Sequence, residues 1–136
     1  MINAQTLSTI STDQTPKKAQ LIIGRVLWAI VVPFLLMDGI MHVTKPDFVV
    51  QSCEKLQIPV ASIVPLGIVQ LICLALYVFP RTAALGALLL TGYLGGAMAI
   101  HMRIGDPMWF PVLVGALLWG SLYLRDARFR AFVANK

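Results

Sequence analysis

The sequence predicts an all-α membrane protein, a bundle of four transmembrane helices with a short interfacial helix between spans 1 and 2. Three observations predict it. Four apolar stretches, each near the ~20 residues that cross ~30 Å of hydrocarbon, are packed into 136 residues. Hydrophobic residues make up 58% and charged residues 12%, whereas soluble domains carry about 25% charged residues. The chain therefore lacks the polar surface to cover a water-facing globule. Most of the cations lie beside one set of span ends. No stretch has the two-residue alternation of a membrane barrel, and lipid leaves helices as the remaining way to pair every backbone group.

Residues 1–19 are rich in Ser, Thr and Gln and read as a disordered cytoplasmic tail. Lys17 and Lys18 before an apolar run imitate a signal peptide. The run is too long for a typical signal core, contains Asp38 and lacks a small-residue cleavage site, so an uncleaved span is expected. Span 1 covers about 22–42; Arg25 can snorkel from its first turn, and Pro33 is expected to kink it. Span 2 covers about 59–79, opened by Pro59 and broken by Pro65. Span 3 covers about 82–102. Span 4 covers about 108–124, opened by Pro107 and ended by Arg125 and Asp126. Residues 131–136 read as a second cytoplasmic tail.

Between spans 1 and 2, Val49, Cys53 and Leu56 repeat at helical spacing, and Pro46 and Asp47 suit a first turn. That pattern predicts a short helix lying in the outer interface, with an irregular loop as the alternative. Cys53 and Cys73 have neither CxxC nor metal-ligand spacing. Cys73 would lie about 20 Å into a span starting at Val60, at ~1.5 Å per residue. Cys53 precedes that span, so the two are expected out of disulfide reach, as apolar packing residues.

Charge sets the expected direction. With four spans, both termini share a side with the turn at Pro80 and Arg81. Lys17, Lys18, Arg25, Arg81, Arg125, Arg128, Arg130 and Lys136 lie there; Lys45, Lys55 and Arg103 lie opposite. Cytoplasmic termini follow. Trp28, Tyr77, Trp119 and Tyr123 would form an inner aromatic belt, and Phe48, Trp109 and Phe110 an outer one. The net charge of +5 does not imply nucleic acid, because the cations sit in tails and turns rather than on a basic face interleaved with aromatics. The lipid bilayer, with its anionic headgroups, is the expected partner.

In span 3, Gly92, Gly95 and Gly96 leave a stripe without side chains against which another helix can pack. In so short a chain the expected partner is another span of the same bundle, with homo-oligomerisation as the alternative.

Ionisable groups at membrane depth are expensive and each needs a reason. Asp38 lies one turn inside the outer end of span 1, with His42 four residues on. Span 3 ends on the same side with His101 and Arg103, and Gln70 lies near the middle of span 2. Topology brings these five residues toward one layer. They could fix helix register only, with Asp38 paired to His42 or Arg103 and His101 capping its helix. They could line a pocket for a quinone or other amphipathic ligand, with His and Asp moving protons. Least well supported is ligation of a haem or metal by His42 and His101. No G-x-S-x-G, P-loop or HExxH is present, and nothing assigns a catalytic residue. A transporter is disfavoured, since there is no internal repeat or pair of broken helices.

The runs PLGIVQ, YVFPRTAALGALLLTGYLGGAMAIHMRIGDP and GALLWGSLYLRDARFR, together with FLLMDGIMH in span 1, resemble the DoxX-like family of small bacterial four-helix membrane proteins. The PRTA turn and the TGYLGGA segment with its H-x-R ending are the specific parts. The resemblance implies a four-helix domain over 20–130 in the bacterial inner membrane. The wider group takes its name from a small subunit of a terminal quinol oxidase. Other relatives are tied to membrane redox complexes, and distant animal relatives to receptor assembly. It carries over Asp38, Gly39, Pro80, Arg81, Gly95, Gly96, His101 and Arg103. Family members often hold a carboxylate in span 2 where this chain has Gln70, which weakens a proton-exchanging role here. The resulting expectation is an accessory or assembly subunit of a membrane complex, such as a redox complex. The alternative is a stand-alone quinone-linked oxidoreductase or a lipophilic-ligand binder.

Overall fold

A computed structural model describes residues 18–134, so most of the segment read as an N-terminal tail, with Lys17, and the last two residues, with Lys136, lie outside the described residues. Among the described residues every regular element is a helix: α1 (Lys18–Thr44), α2 (Asp47–Lys55), α3 (Val60–Val78), α4 (Ala83–Ile104), α5 (Trp109–Arg125) and α6 (Ala127–Ala134). By length and composition α1, α3 and α4 can each cross a membrane; α5 is apolar but shorter, at 17 residues. The C-terminal stretch expected as a tail from residue 131 instead continues α6 to Ala134.

The expected break at Pro65 does not occur, and α1 also continues through Pro33 as a single helix. A proline removes one backbone donor, and both rings face outward while neighbouring residues such as Val31, Leu35 and Ile63 are buried. Tertiary packing carries each helix past one missing bond.

The main contacts place α1 against α3 and α5, and α4 against the same two helices. The long helices therefore close into a ring in chain order, with the last beside the first. Val31, Leu74, Tyr77, Leu90, Leu118 and Leu122 fill its centre. The outside is no more polar than the inside: Ile22, Ile30, Ile72 and Leu88 are all more than half exposed. A helix that is apolar all round is suited to lipid.

Three glycine contacts set the helix spacing. A methyl group at Gly67 of α3 would lie 2.7 Å from His42 Cβ and 2.9 Å from the Gly39 carbonyl of α1. One at Gly24 would lie 2.9 Å from Leu124 Cβ on α5, where Ser121 Oγ donates to the Gly24 carbonyl at 3.0 Å. One at Gly86 would collide with the Tyr77 backbone. Gly92, Gly95 and Gly96 do the opposite. They are exposed, and among the described residues nothing lies within 4 Å of where their side chains would begin. The expectation that this stripe packs inside the bundle is therefore corrected. α4 turns its other face, Ala83, Ala87, Leu90 and Leu94, to the core.

The expected short helix between spans 1 and 2 is present as α2, with Val49 and Cys53 buried against Ile63. It ends in a Schellman turn: Gln57 N–H donates to Glu54 O, Ile58 N–H donates to Cys53 O, and Gln57 takes φ 56°. α4 ends the same way at Gly105, φ 76°, with Asp106 N–H donating to His101 O at 2.9 Å. Both cysteines are free and buried. Part of the expected inner aromatic belt turns inward. Tyr77 is fully buried and donates to Leu118 O at 2.9 Å, and Trp119 Nε1 donates to Thr91 Oγ1 at 2.8 Å. Phe48, Trp109 and Phe110 remain exposed at the opposite end.

Candidate functional site

Above the filled centre, at the α2 end of the bundle, lies a cavity of about 350 Å³. That volume is within the ~300–1,000 Å³ range of small-molecule pockets. Its walls come from four directions because one face of each long helix repeats at helical spacing. α1 contributes Phe34, Asp38 and His42, α4 contributes Tyr93, Ala97 and His101, α3 brings Gln70, and α5 brings Phe110. Val49 and Cys53 of α2 close over it. Most of the lining is apolar; the polar groups are few and converge.

Gln70 is the central one. The close approach of α1 and α3 at Gly39 and Gly67 lets its amide reach across. Gln70 Nε2 donates to the Leu35 carbonyl at 3.0 Å and to Asp38 Oδ2 at 2.9 Å. The residue is fully buried, yet its Oε1 has no partner among the described residues. An unpaired buried acceptor is costly, by roughly 1–3 kcal/mol. His42 Nδ1 lies 2.8 Å from the Asp38 carbonyl. A carbonyl can only accept, so Nδ1 carries the proton, and in the neutral ring Nε2 is the free acceptor. The same Nδ1 is 3.6 Å from Asp38 Oδ2. His101 Nδ1 is buried and has no partner among the described residues; the Asp106 carboxylate, brought near by the turn after α4, is 3.8 Å away and too far for a hydrogen bond.

Four of the five polar residues singled out from the sequence, Asp38, His42, Gln70 and His101, thus line one cavity. The fifth does not. Arg103 is exposed and points its Nη2 at the carbonyls of Leu56 and Gln57, 3.4 Å from each, at the C-terminal end of α2. A cation is favoured there by the helix dipole, so the Asp38 carboxylate takes its hydrogen bond from Gln70 instead, with His42 Nδ1 3.6 Å away and bonded to the Asp38 carbonyl. His101 does not cap its own helix by its side chain. Among the described residues no three His, Cys, Asp or Glu side chains gather as a metal cluster.

Sequence reasoning missed Tyr93, and it read Cys53 as packing alone. The signal for Tyr93 was present, since Tyr93, Ala97 and His101 are spaced four apart on one face of α4. The adjacent glycines drew attention to the opposite face.

The model of the DoxX-like family matches residues 26–121. The chain belongs to the DoxX-like family. Together with its long apolar helices, the match makes it a multi-pass membrane protein. All the cavity-lining residues of this DoxX-like chain lie inside the matched stretch, whereas α6 lies beyond it. No curated protein and no solved structure matches the chain.

Proposed function

We propose that this DoxX-like protein crosses the bacterial inner membrane four times, with both termini in the cytoplasm, and holds a small amphipathic molecule of the quinone type in its outer cavity. The observation that carries the ligand is the pair of buried atoms without a partner among the described residues, Gln70 Oε1 and His101 Nδ1, on two residues that line one largely apolar chamber. A quinone or quinol head offers the complementary acceptors and donors, and its apolar tail suits exposed Phe48 and Phe110 at the rim. The fourth crossing is supported by the ring closure of α5 on α1. At ~1.5 Å per residue its 17 residues span ~25 Å, short of ~30 Å, a mismatch that local bilayer thinning meets, with Trp109 and Arg125 as the interfacial anchors at its two ends. The described cations support the direction: Lys18, Arg25, Arg81, Arg125, Arg128 and Arg130 at one end against Lys45, Lys55 and Arg103 at the other.

The test is the content of the purified protein. Solvent extraction and mass spectrometry should find a quinone retained through detergent exchange. In the Gln70→Leu protein the retained fraction and the affinity for an added short-chain quinone should fall about tenfold, the ~1.4 kcal/mol of one hydrogen bond. Wild-type protein that holds no quinone above the detergent background and binds none on addition overturns the proposal.

A second reading has its own observation. The bare stripe of Gly92, Gly95 and Gly96 faces outward, and small residues on a lipid-exposed face allow a second transmembrane helix to approach. This supports an accessory or assembly subunit of a membrane complex. Gly96→Leu should leave the isolated protein folded but reduce its co-purification with partners in native detergent. Unchanged co-purification would remove this reading.

A further inference from the structure

At the opposite end of the bundle from the cavity, four arginines from four different parts of the chain face one open groove: Arg25 on α1, Arg81 in the turn before α4, Arg125 closing α5 and Arg128 on α6. Among the described residues none of them lies within 4.0 Å of a carboxylate. The acid in the groove, Asp126, is otherwise engaged: its Oδ1 accepts from the backbone N–H groups of Arg128 and Phe129, at 2.9 and 3.2 Å, and starts α6. Four cations without a carboxylate partner among the described residues repel each other, so charge pairing within the described bundle does not account for their grouping.

The groove is also built, not merely charged. The Arg125 guanidinium is wedged between Trp28 and Tyr77, 5.6 and 5.2 Å from their ring centroids, with Nη2 3.4 Å from the Tyr77 carbonyl. Stacking of this kind holds a guanidinium in a fixed direction. Two buried donors at the groove, Arg125 Nε and Trp28 Nε1, have no partner among the described residues. Arginine forks and an indole N–H complement an oxyanion. The groove, about 1270 Å³ in volume and open to the surface, exceeds what a bare ion fills, and apolar Phe79, which lines it, is exposed.

We infer that this groove is a binding site for a negatively charged phosphate group, with Arg25, Arg81, Arg125 and Arg128 as its cations and Trp28 as a neutral donor. An anionic lipid headgroup and a soluble phosphate share that chemistry. Titration of the full-length protein in zwitterionic detergent, followed by tryptophan fluorescence, separates them. Short-chain phosphatidylglycerol should bind saturably, and short-chain phosphatidylcholine at least tenfold more weakly. Arg25→Gln with Arg81→Gln removes two exposed cations whose side chains make no hydrogen bond with the described residues. It should weaken phosphatidylglycerol binding roughly 25-fold, about fivefold per charge, with an unchanged melting temperature. Arg103→Gln, at the far end, should leave binding unchanged. Inorganic phosphate that displaces the lipid at equal concentration would assign the site to soluble phosphates; no displacement assigns it to the headgroup. Equal binding of the two lipids, or an equal loss in Arg103→Gln, would overturn the site.

Discussion

In the half of the bundle toward the termini, the space between helices is filled and the hydroxyls inside it are paired. Tyr77, Leu118 and Leu122 are fully buried, Tyr77 Oη donates to Leu118 O, and Ser121 Oγ donates to Gly24 O. In the half toward α2, the same four helices enclose a cavity, and Gln70 Oε1 and His101 Nδ1 in its neighbourhood have no partner among the described residues. The difference follows from side-chain size and polarity at equivalent faces. α4 offers Ala87 and Leu90 to a tightly opposed core, but Tyr93, Ala97 and His101 to the cavity. Natural interiors are close-packed and satisfied. An interior that is neither is where a ligand is expected, and the packed core around Tyr77 and Ser121 acts as the scaffold, with the unpartnered donors of that half, Trp28 Nε1 and Arg125 Nε, at the groove beyond it.

The largest expected effect breaks this comparison with one substitution in each half. Ala87 is fully buried in the core, so Ala87→Leu forces overpacking and should destabilise by about 1–3 kcal/mol or more. Ala97 borders the cavity, so Ala97→Leu has room and should change stability by less than about 1 kcal/mol while lowering ligand affinity. Reversible unfolding in mixed micelles measures the first, and quinone retention the second. Equal destabilisation would mean that the outer half is as full as the inner one.

A smaller pair sharpens the contrast in polar satisfaction. Tyr77→Phe removes a buried hydrogen bond and should cost about 1 kcal/mol. Tyr93, which lines the cavity, makes no hydrogen bond with the described residues. Tyr93→Phe should therefore leave unfolding unchanged within ~0.5 kcal/mol. A loss of stability at Tyr93 as large as that at Tyr77 would show that its hydroxyl is already engaged in the protein.

Much of this architecture was legible in the sequence, because membrane depth imposes a coarse code. Apolar length marked α1, α3 and α4. The Val49 and Cys53 spacing marked α2. The intramembrane cost of Asp38, His42, Gln70 and His101 marked the residues that meet at the cavity. What was not legible depended on the rotation of each helix. Gly67 and Gly92 are alike as letters, but only the first faces a neighbour. With α4 apolar on every side, hydrophobicity did not say which stripe turned inward. Arg103 was misplaced for a related reason. A long flexible side chain at a helix end can point toward the bundle or along the surface, and the carbonyls ending α2 attract it outward. Pro65 was read as a break because local rules do not include the neighbours that hold α3 together.

The smallest effect tests whether α2 behaves as a cover. Cys53 sits on its inner side, 3% exposed, whereas Cys73 lies in the filled half on α3. Burial raises the Cys53 thiol above its ordinary range, and the Asp38 carboxylate raises it further. The thiolate is the reactive form, so a raised value means less of it at neutral pH and slow alkylation that quickens as pH rises. Asp38→Asn removes the second cause, lowers the value and should speed labelling of Cys53 at a given pH, leaving Cys73 unaltered. Maleimide labelling followed by peptide mass spectrometry reads both sites in one experiment. Added quinone should slow Cys53 alone, since the cavity lies beneath it. If both cysteines label at one rate and neither responds to the ligand or to Asp38→Asn, reactivity is set by global unfolding and α2 is no lid.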